Sequence, residues 1–147
     1  MTDRRKTLEM DFAYTYTIII PHKNIPLLLQ RCLDSIPLRQ DIQVVIVDDN
    51  SSPAVVDFDN FPGSERKDTE IIHTSESKGA GYARNCGLAA AKGRWLLFAD
   101  ADDFFLPGFL DVLDTFALTD YDMIVFRAES TDSDTLRQVE SRQKYYG

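Results

Sequence analysis

Two continuous apolar runs, both rich in β-branched residues, place the strongest constraint on the fold of this chain. The runs are Tyr16–Ile20 (YTIII) and Ile42–Val47 (IQVVIV), and neither shows the regular alternation of a strand with one solvated face. We therefore predict two strands that are buried on both faces, which is typical of a parallel sheet. Between them, apolar residues recur at helical spacing and predict an amphipathic helix over Pro26–Ile36.

The alternation of strand and helix patterns continues along the chain. The later predicted elements are a strand at 69–74, an alanine-rich helix over Gly81–Lys92 ended by Gly93, a strand at Arg94–Ala99, a helix that opens with Pro107, and a strand at Tyr121–Ala128. This order predicts an α/β domain, with a mostly parallel sheet and helices on both faces. We place the domain at residues 14–128, after a polar lead-in at 1–13 and before a polar segment at 129–147.

Composition excludes some classes of function. A chain of 147 residues with a net charge of -8 is not expected to bind nucleic acid in general, because phosphate contacts need a basic face. The first residues lack the apolar core of a signal peptide, and no run approaches the roughly 20 apolar residues of a membrane span. We predict a cytoplasmic location, either free or peripheral at the inner membrane face.

Polar clusters follow three of the predicted strands. The first strand ends in PHKN, the second in DDNSS and the fourth in DADD. In open α/β sheets ligands bind beyond the carboxyl ends of the strands, so these clusters predict one functional site. Asp100 and Asp102 offer two carboxylates on a short turn, which suits Mg²⁺ or Mn²⁺ with a diphosphate. The alternative is that Asp102 or Asp103 caps the helix at Pro107.

A glycine-containing segment, SKGAGYARN, adds donors for an anion. Gly79 and Gly81 precede a predicted helix N-terminus, and Lys78 and Arg84 add positive charge beside it. The pattern is not the dinucleotide fingerprint, because Arg84 stands where the third glycine would be. In the alternative reading the glycines only shape the loop and Arg84 pairs with a nearby aspartate.

Four segments together identify a family. YTIIIPHKN, VVIVDDNSS, KGAGYARNCGLAAAKGRWLLFADADD and LPGFL resemble, in order and spacing, the nucleotide-binding half of family 2 glycosyltransferases, over about residues 15–118. The resemblance implies the Rossmann-like GT-A fold and a nucleotide-diphosphate sugar donor, UDP- or GDP-linked, with Mn²⁺ or Mg²⁺. It also implies inverting transfer to a saccharide or other hydroxyl acceptor in glycan or cell-surface polysaccharide synthesis.

The resemblance assigns the first two clusters to the nucleotide. Pro21 and Asn24 would belong to the loop that walls the nucleotide. The position of His22 in the loop after the first strand, rather than the resemblance, makes it a candidate ligand contact, and the alternative is an ordinary loop histidine. The aromatic residue usual in this loop is replaced by His22 and Lys23. Asp49 would hydrogen-bond the base, with Asp48 beside it.

The remaining site residues are assigned in the same way. Lys78 and Arg84 would face the base or the phosphates. Asp100 would lie near the ribose and the metal ion, and Asp102 would be the principal metal ligand. Asp103 would support these ligands without holding the ion itself.

One part of the family pattern is missing. Family members continue into an acceptor-binding half that supplies the general base, commonly an aspartate. Asp132, Asp134 and Glu140 lie in a segment without family context, and we assign none of them as the base. Residues 129–147 are thus a tail or the truncated start of the acceptor half, and this chain alone is expected to transfer negligibly.

Two other functions fit parts of the sequence. VVIVDDNS is similar to the acidic first strand of receiver domains, and FADADDFFLP could carry their phosphorylated aspartate. Against a receiver, a whole strand and helix precede the acidic pair, and no strand-end lysine follows the fifth strand. The second alternative is an inactive module that binds the nucleotide but lacks a base.

Overall fold

The computed structural model describes residues 11–131, which form a parallel sheet with three helices. The elements in chain order are β1 (Tyr14–His22), α1 (Pro26–Asp34), β2 (Ile42–Asp48), β3 (Thr69–His73), α2 (Ala80–Ala90), β4 (Gly93–Phe98) and α3 (Phe109–Asp114). The strands lie in the order β3-β2-β1-β4, and every neighbouring pair is parallel. The α/β prediction is confirmed, as are its first four strands.

The core lies on both faces of the sheet. On one face Ile18, Ile20 and Ile46 join the buried residues of α1 and Leu110 of α3. On the other face Ile19, Val45 and Val47 pack with Ala83 of α2. All seven residues of β2 are buried. Because successive side chains of a strand point to opposite faces, a strand covered on both sides must be apolar throughout, as this one nearly is.

Helix α2 lies unusually close to the sheet. A Cβ atom added at Gly87 would overlap Ile19 Cγ2, so glycine is required for this approach. The turn after α2 is fixed by a buried polar pair, since the Thr17 hydroxyl donates to Gln43 Oε1 at 2.7 Å. Gln43 Oε1 also accepts the Lys92 N–H at 2.8 Å, and Thr17 Oγ1 accepts the Gly93 N–H at 2.8 Å. These bonds hold the first residues of β4 next to β1.

A network of ion pairs and hydrogen bonds lies at the amino-terminal edge of the sheet. Arg39 binds Asp41 at 2.6 Å and Asp114 at 2.9 Å, and the Tyr16 hydroxyl donates to Asp114 at 2.8 Å. Hydrogen bonds from Arg39 hold the pKa of the Asp114 carboxyl below its ordinary value, although burial acts in the opposite direction. The network fastens the end of α3 to β1, on the edge opposite the predicted site.

The predicted fifth strand is wrong. Residues 121–128 form no strand, and the Met123 and Val125 side chains are 79% and 83% exposed. A strand needs a neighbour for its N–H and C=O groups, and within residues 11–131 β4 pairs only with β1. Helix α3 also starts later than predicted, at Phe109 rather than Pro107, because Gly108 before it has a left-handed φ of 83°.

No helix among the described residues is long and apolar enough to cross a membrane. The cytoplasmic or peripheral location stays a prediction. Most of the lead-in and nearly all of the segment at 129–147, including Asp132, Asp134 and Glu140, lie outside the described residues.

Candidate functional site

The parallel register brings three polar strand ends side by side. His22 at the end of β1 pairs with Asp48 of β2, and Asp48 pairs with His73 of β3. The acidic turn at 100–103 follows β4, the neighbour of β1 on the other side. The carboxyl edge therefore collects the predicted clusters, as expected for parallel strands.

His22 and Asp48 form a buried hydrogen-bonded pair. His22 Nδ1 lies 2.9 Å from Asp48 Oδ1, and His22 Nε2 accepts the Ile25 N–H at 3.1 Å. The proton is therefore on Nδ1, and both ring nitrogens are used. Ser51 donates its hydroxyl to Asp48 Oδ1 at 2.5 Å and its N–H to Oδ2 at 3.1 Å. Burial alone would raise the pKa of Asp48, but the hydrogen bonds from His22 and Ser51 outweigh it and lower the pKa to about 2.

This geometry differs from the role expected for these two residues. The side chains of His22 and Asp48 are 0% and 1% exposed, so neither presents a free polar atom to a ligand. They lie beneath the site and join the ends of β1 and β2. His73, at the end of β3, also approaches this pair: its Nδ1 is 3.6 Å from Asp48 Oδ2 and its ring meets Phe61 edge-on, with 5.1 Å between ring centroids. Only the strand register reveals that position.

Asp49 points to the opposite side from Asp48. Its Oδ1 accepts the Lys78 N–H at 3.0 Å and its Oδ2 accepts the Gly79 N–H at 2.8 Å. Burial would raise the pKa of Asp49, but these backbone donors and the Thr74 hydroxyl lower it below the ordinary value. The predicted base-binding residue therefore fixes the loop that leads into α2.

The loop after β1 is tied to the loop after β2. Asn24, with a left-handed φ of 57°, donates its N–H to Ser51 Oγ at 2.8 Å. Its side-chain oxygen accepts the Ser52 N–H at 2.7 Å. Pro21 is half-buried and lies beside Val47 in the register. The two predicted nucleotide loops thus form one connected wall.

The acidic turn gathers three exposed carboxylates. One oxygen each from Asp100, Asp102 and Asp103 lie within 4.8 Å of one another. Although the Asp103 side chain reaches solvent, the protein atoms around it and the carboxylates of Asp102 and Asp100 raise its pKa. Three oxygen donors that repel one another are a donor set suited to a hard divalent cation, so the residues fit Mg²⁺ or Mn²⁺.

Two cations lie on the same edge of the sheet, and one of them contacts the acidic turn. Arg84 Nη2 donates to Asp100 Oδ1 at 2.7 Å, as the alternative reading of the sequence expected. Lys78 Nζ lies 2.9 Å from Glu76 and 4.9 Å from the centre of the Tyr82 ring. Both side chains reach solvent, so a bound anion could take over these contacts.

The fold and the site together define an α/β domain that carries polar loops and an acidic turn at the carboxyl edge of its parallel sheet. The sequence profile of Glycosyl transferase family 2 matches residues 17–146, and the chain belongs to this family. The PGL/p-HBAD biosynthesis glycosyltransferase of Mycobacterium tuberculosis is 38% identical over 93 residues, which cover 62% of this chain and 36% of that protein. The poly(ribitol-phosphate) beta-glucosyltransferase of Bacillus spizizenii is 33% identical over 93 residues, covering 60% and 15%. The match therefore spans about a third or less of these relatives.

Solved structures support the GT-A fold. S. aureus TarS 1-349 in complex with UDP-GlcNAc matches with a TM-score of 0.60 and 24% identity, over 69% of this chain and 30% of that one. The mannosyltransferase PcManGT from Pyrobaculum calidifontis, in complex with GDP-Man and Mn²⁺, matches with a TM-score of 0.59 and 21% identity, over 80% and 38%. These likenesses confirm the predicted GT-A fold.

Proposed function

We propose that this chain is the donor-binding part of a glycosyltransferase. It binds a nucleotide-diphosphate sugar, UDP- or GDP-linked, together with Mn²⁺ or Mg²⁺. The sugar is transferred with inversion to a hydroxyl of a saccharide or another acceptor, in glycan or cell-surface polysaccharide synthesis. Family membership supports the class of reaction, and the acidic turn is the observation that carries the donor and metal assignment.

The acidic turn supports metal binding through its charge. Asp102 has neither an ion pair nor a side-chain hydrogen bond among the described contacts, whereas Asp100 is already paired with Arg84. We therefore assign Asp102 as the principal ligand and Asp100 as its partner, with Asp103 supporting them. A divalent ion at this turn would neutralise the charge of the donor diphosphate.

Arg84 is the group that we expect to change partners. Its bond to Asp100 compensates one carboxylate while the protein is free of ligand. An ion bound by Asp100 takes over that compensation, and the guanidinium becomes available to the phosphates of the donor. Lys78 lies at the start of the same helix and adds a second exposed cation.

The nucleoside would lie against the wall made by the loops after β1 and β2. Pro21 and Asn24 lie on this wall, and Asp49 sits at its junction with the α2 loop. We assign the base contact to Asp49 on the family resemblance. This residue is 4% exposed, and its Oδ2, which accepts the Gly79 N–H, keeps a second lone pair for the base. His22 and Asp48 support the wall from beneath.

Calorimetric titration of the chain with UDP and with GDP, each with and without Mn²⁺, tests this function. We expect one of the two nucleotides to bind, and only with the metal ion present. Asp102→Asn should lose the metal-dependent binding because it replaces a carboxylate ligand with an amide. Asp120→Asn is the control, because it also removes one exposed carboxylate. Its neighbour Thr119 contacts Arg94 near the start of β4, at the other end of that strand from the acidic turn, so this variant should bind as the parent does.

Two results would contradict the proposal. Nucleotide binding unchanged by EDTA would remove the role of the metal ion. Equal loss of binding in Asp102→Asn and Asp120→Asn would mean that net charge, rather than the acidic turn, determines affinity.

A further inference from the structure

The acidic turn is supported from beneath by two side chains, one on α1 and one on the residue that caps its C-terminus. Arg31 Nη2 donates to the backbone oxygen of Asp102 at 2.7 Å. Ser35 Oγ accepts the N–H of Phe105 at 2.9 Å. Arg31 and Ser35 are four residues apart, so they lie on the same face of the helix and grip both ends of the segment 102–105.

Each of these anchors is itself held in place. The Arg31 guanidinium lies over the Phe104 ring at 5.2 Å from its centre, and the Ser35 hydroxyl donates to the Cys32 backbone oxygen at 2.5 Å. Cys32 is completely buried, which fixes the helix at this point. The Ser35 hydroxyl thus donates its hydrogen bond to the helix and accepts one from the turn.

Arg31 also has a buried polar atom that the rest of residues 11–131 leaves unpaired. Its Nε atom is buried and has no hydrogen-bond partner among the described residues. Leaving a buried donor unpaired is unfavourable, so a residue kept in this state invites a functional explanation. Its remaining contacts all point to the turn, since it bonds the Asp102 carbonyl and covers Phe104.

We propose that Arg31 and Ser35 are positioning residues that set the affinity of the acidic turn for the divalent cation. They do so by holding the backbone from Asp102 to Phe105 in the shape that brings the three carboxylates together. This inference rests on the proposed function of the turn as a metal site. It adds Arg31 of α1 and Ser35, the residue that follows this helix, to the determinants of metal binding.

The charge of Arg31 allows a clear test. Its electrostatic effect and its role in holding the turn predict opposite changes in metal affinity when the guanidinium is removed. A positive guanidinium close to three carboxylates repels a metal cation, so removing it would tighten metal binding if charge were its whole contribution. Removing it weakens metal binding if the guanidinium holds the turn in shape. The direction of the change therefore separates the two roles.

The test measures Mn²⁺ itself, through the electron paramagnetic resonance signal of the free ion during titration of the full chain. Arg31→Met should weaken Mn²⁺ binding by about 10-fold, the lower end of what loss of an outer-shell partner usually costs. Arg31→Lys keeps the charge but not the planar donor group, and should fall between Arg31→Met and the parent. Ser35→Ala should weaken binding without any change in charge, and Ser35→Thr, which keeps the hydroxyl, should restore it.

Arg94→Met is the matched control. Arg94 Nη2 donates to the Thr119 backbone oxygen at 3.0 Å, so this variant also loses one arginine charge and one bond to a carbonyl. Arg94 is the second residue of β4 and lies six residues before Asp100, about 20 Å away along an extended strand. We expect its Mn²⁺ affinity to equal that of the parent, and circular dichroism checks that each variant is folded.

The outcomes are distinct. Unchanged or tighter Mn²⁺ binding by Arg31→Met, or equal weakening by Arg31→Met and Arg94→Met, would overturn the positioning role. If Ser35→Thr binds as weakly as Ser35→Ala, the hydroxyl does not hold the turn. If the parent chain binds neither Mn²⁺ nor nucleotide, it is the proposed function that fails, and this inference fails with it.

Discussion

The buried pair of His22 and Asp48 predicts a specific loss of stability in acid. The pKa of Asp48 is lowered from 3.8 to about 2 in the folded chain. A carboxyl with a lowered folded pKa stabilises the protein above its unfolded pKa, and this contribution disappears as the pH falls through the folded pKa. At 1.36 kcal/mol per pKa unit, the difference corresponds to about 2 kcal/mol, present above about pH 4 and lost between pH 4 and 2.

Asp48→Asn isolates this contribution. Asparagine keeps the size and an oxygen for the His22 proton, but it cannot ionise and its NH₂ group would meet another donor near Ser51. We expect the variant to be less stable than the parent by about 2 kcal/mol at pH 7, and the difference to shrink towards pH 2. Urea unfolding followed by circular dichroism at a series of pH values measures both quantities.

The comparison of parent and variant is what decides the result. Other carboxylates also contribute to acid unfolding, so the pH dependence of the parent alone proves nothing. Asp120→Asn makes the same charge change at an exposed position and should leave the pH dependence close to that of the parent. If the free energies of unfolding of Asp48→Asn and the parent stay parallel from pH 7 to pH 2, the reasoning is refuted.

Two further substitutions test the packing of the helices. Gly87→Ala should lower the free energy of unfolding by about 1–3 kcal/mol, because the new methyl group overlaps Ile19 Cγ2, and adding Ile19→Ala should recover part of the overlap cost. Urea unfolding measures this, and no loss in the single variant would show that α2 can move away freely. Asp114→Ala should cost about 1 kcal/mol through lost bonds to Arg39 and Tyr16, and less in 1 M salt, whereas Asp114→Asn keeps an acceptor for the tyrosine. A salt-independent loss in Asp114→Ala would assign the effect to packing instead.

Most of the fold could be predicted because burial leaves a simple pattern. β1 and β2 are covered on both faces, so their sequences are nearly continuous apolar runs. The wrong strand at 121–128 is as apolar as β4, and its composition favours a strand. Whether a strand forms depends on a neighbour to pair with, and a sequence pattern alone does not reveal that neighbour.

The edge at which the polar residues meet could be predicted from the sequence, whereas the side chains that face solvent there could not. Strand ends give the edge at which residues meet, but they do not say which side chains turn inwards. His22 is polar and stands in a loop-like motif, yet its ring is buried because Asp48 and the Ile25 N–H satisfy both nitrogens. Arg31 carries no sequence signal beyond its place on α1, since its partner is a backbone carbonyl 71 residues away in the chain.

Alternation explains why the acidic motif has its particular spacing. From residue 99 to residue 102 burial alternates, since Ala99 and Ala101 are 8% and 3% exposed while Asp100 and Asp102 reach solvent. A carboxylate at position 101 would therefore enter the core, where an unpaired charge is costly. One small apolar residue between the aspartates lets both face the same side and meet within reach of one ion. The aspartate pair after β2 follows the same alternation, since Asp48 turns to the buried histidine and Asp49 to the loop before α2.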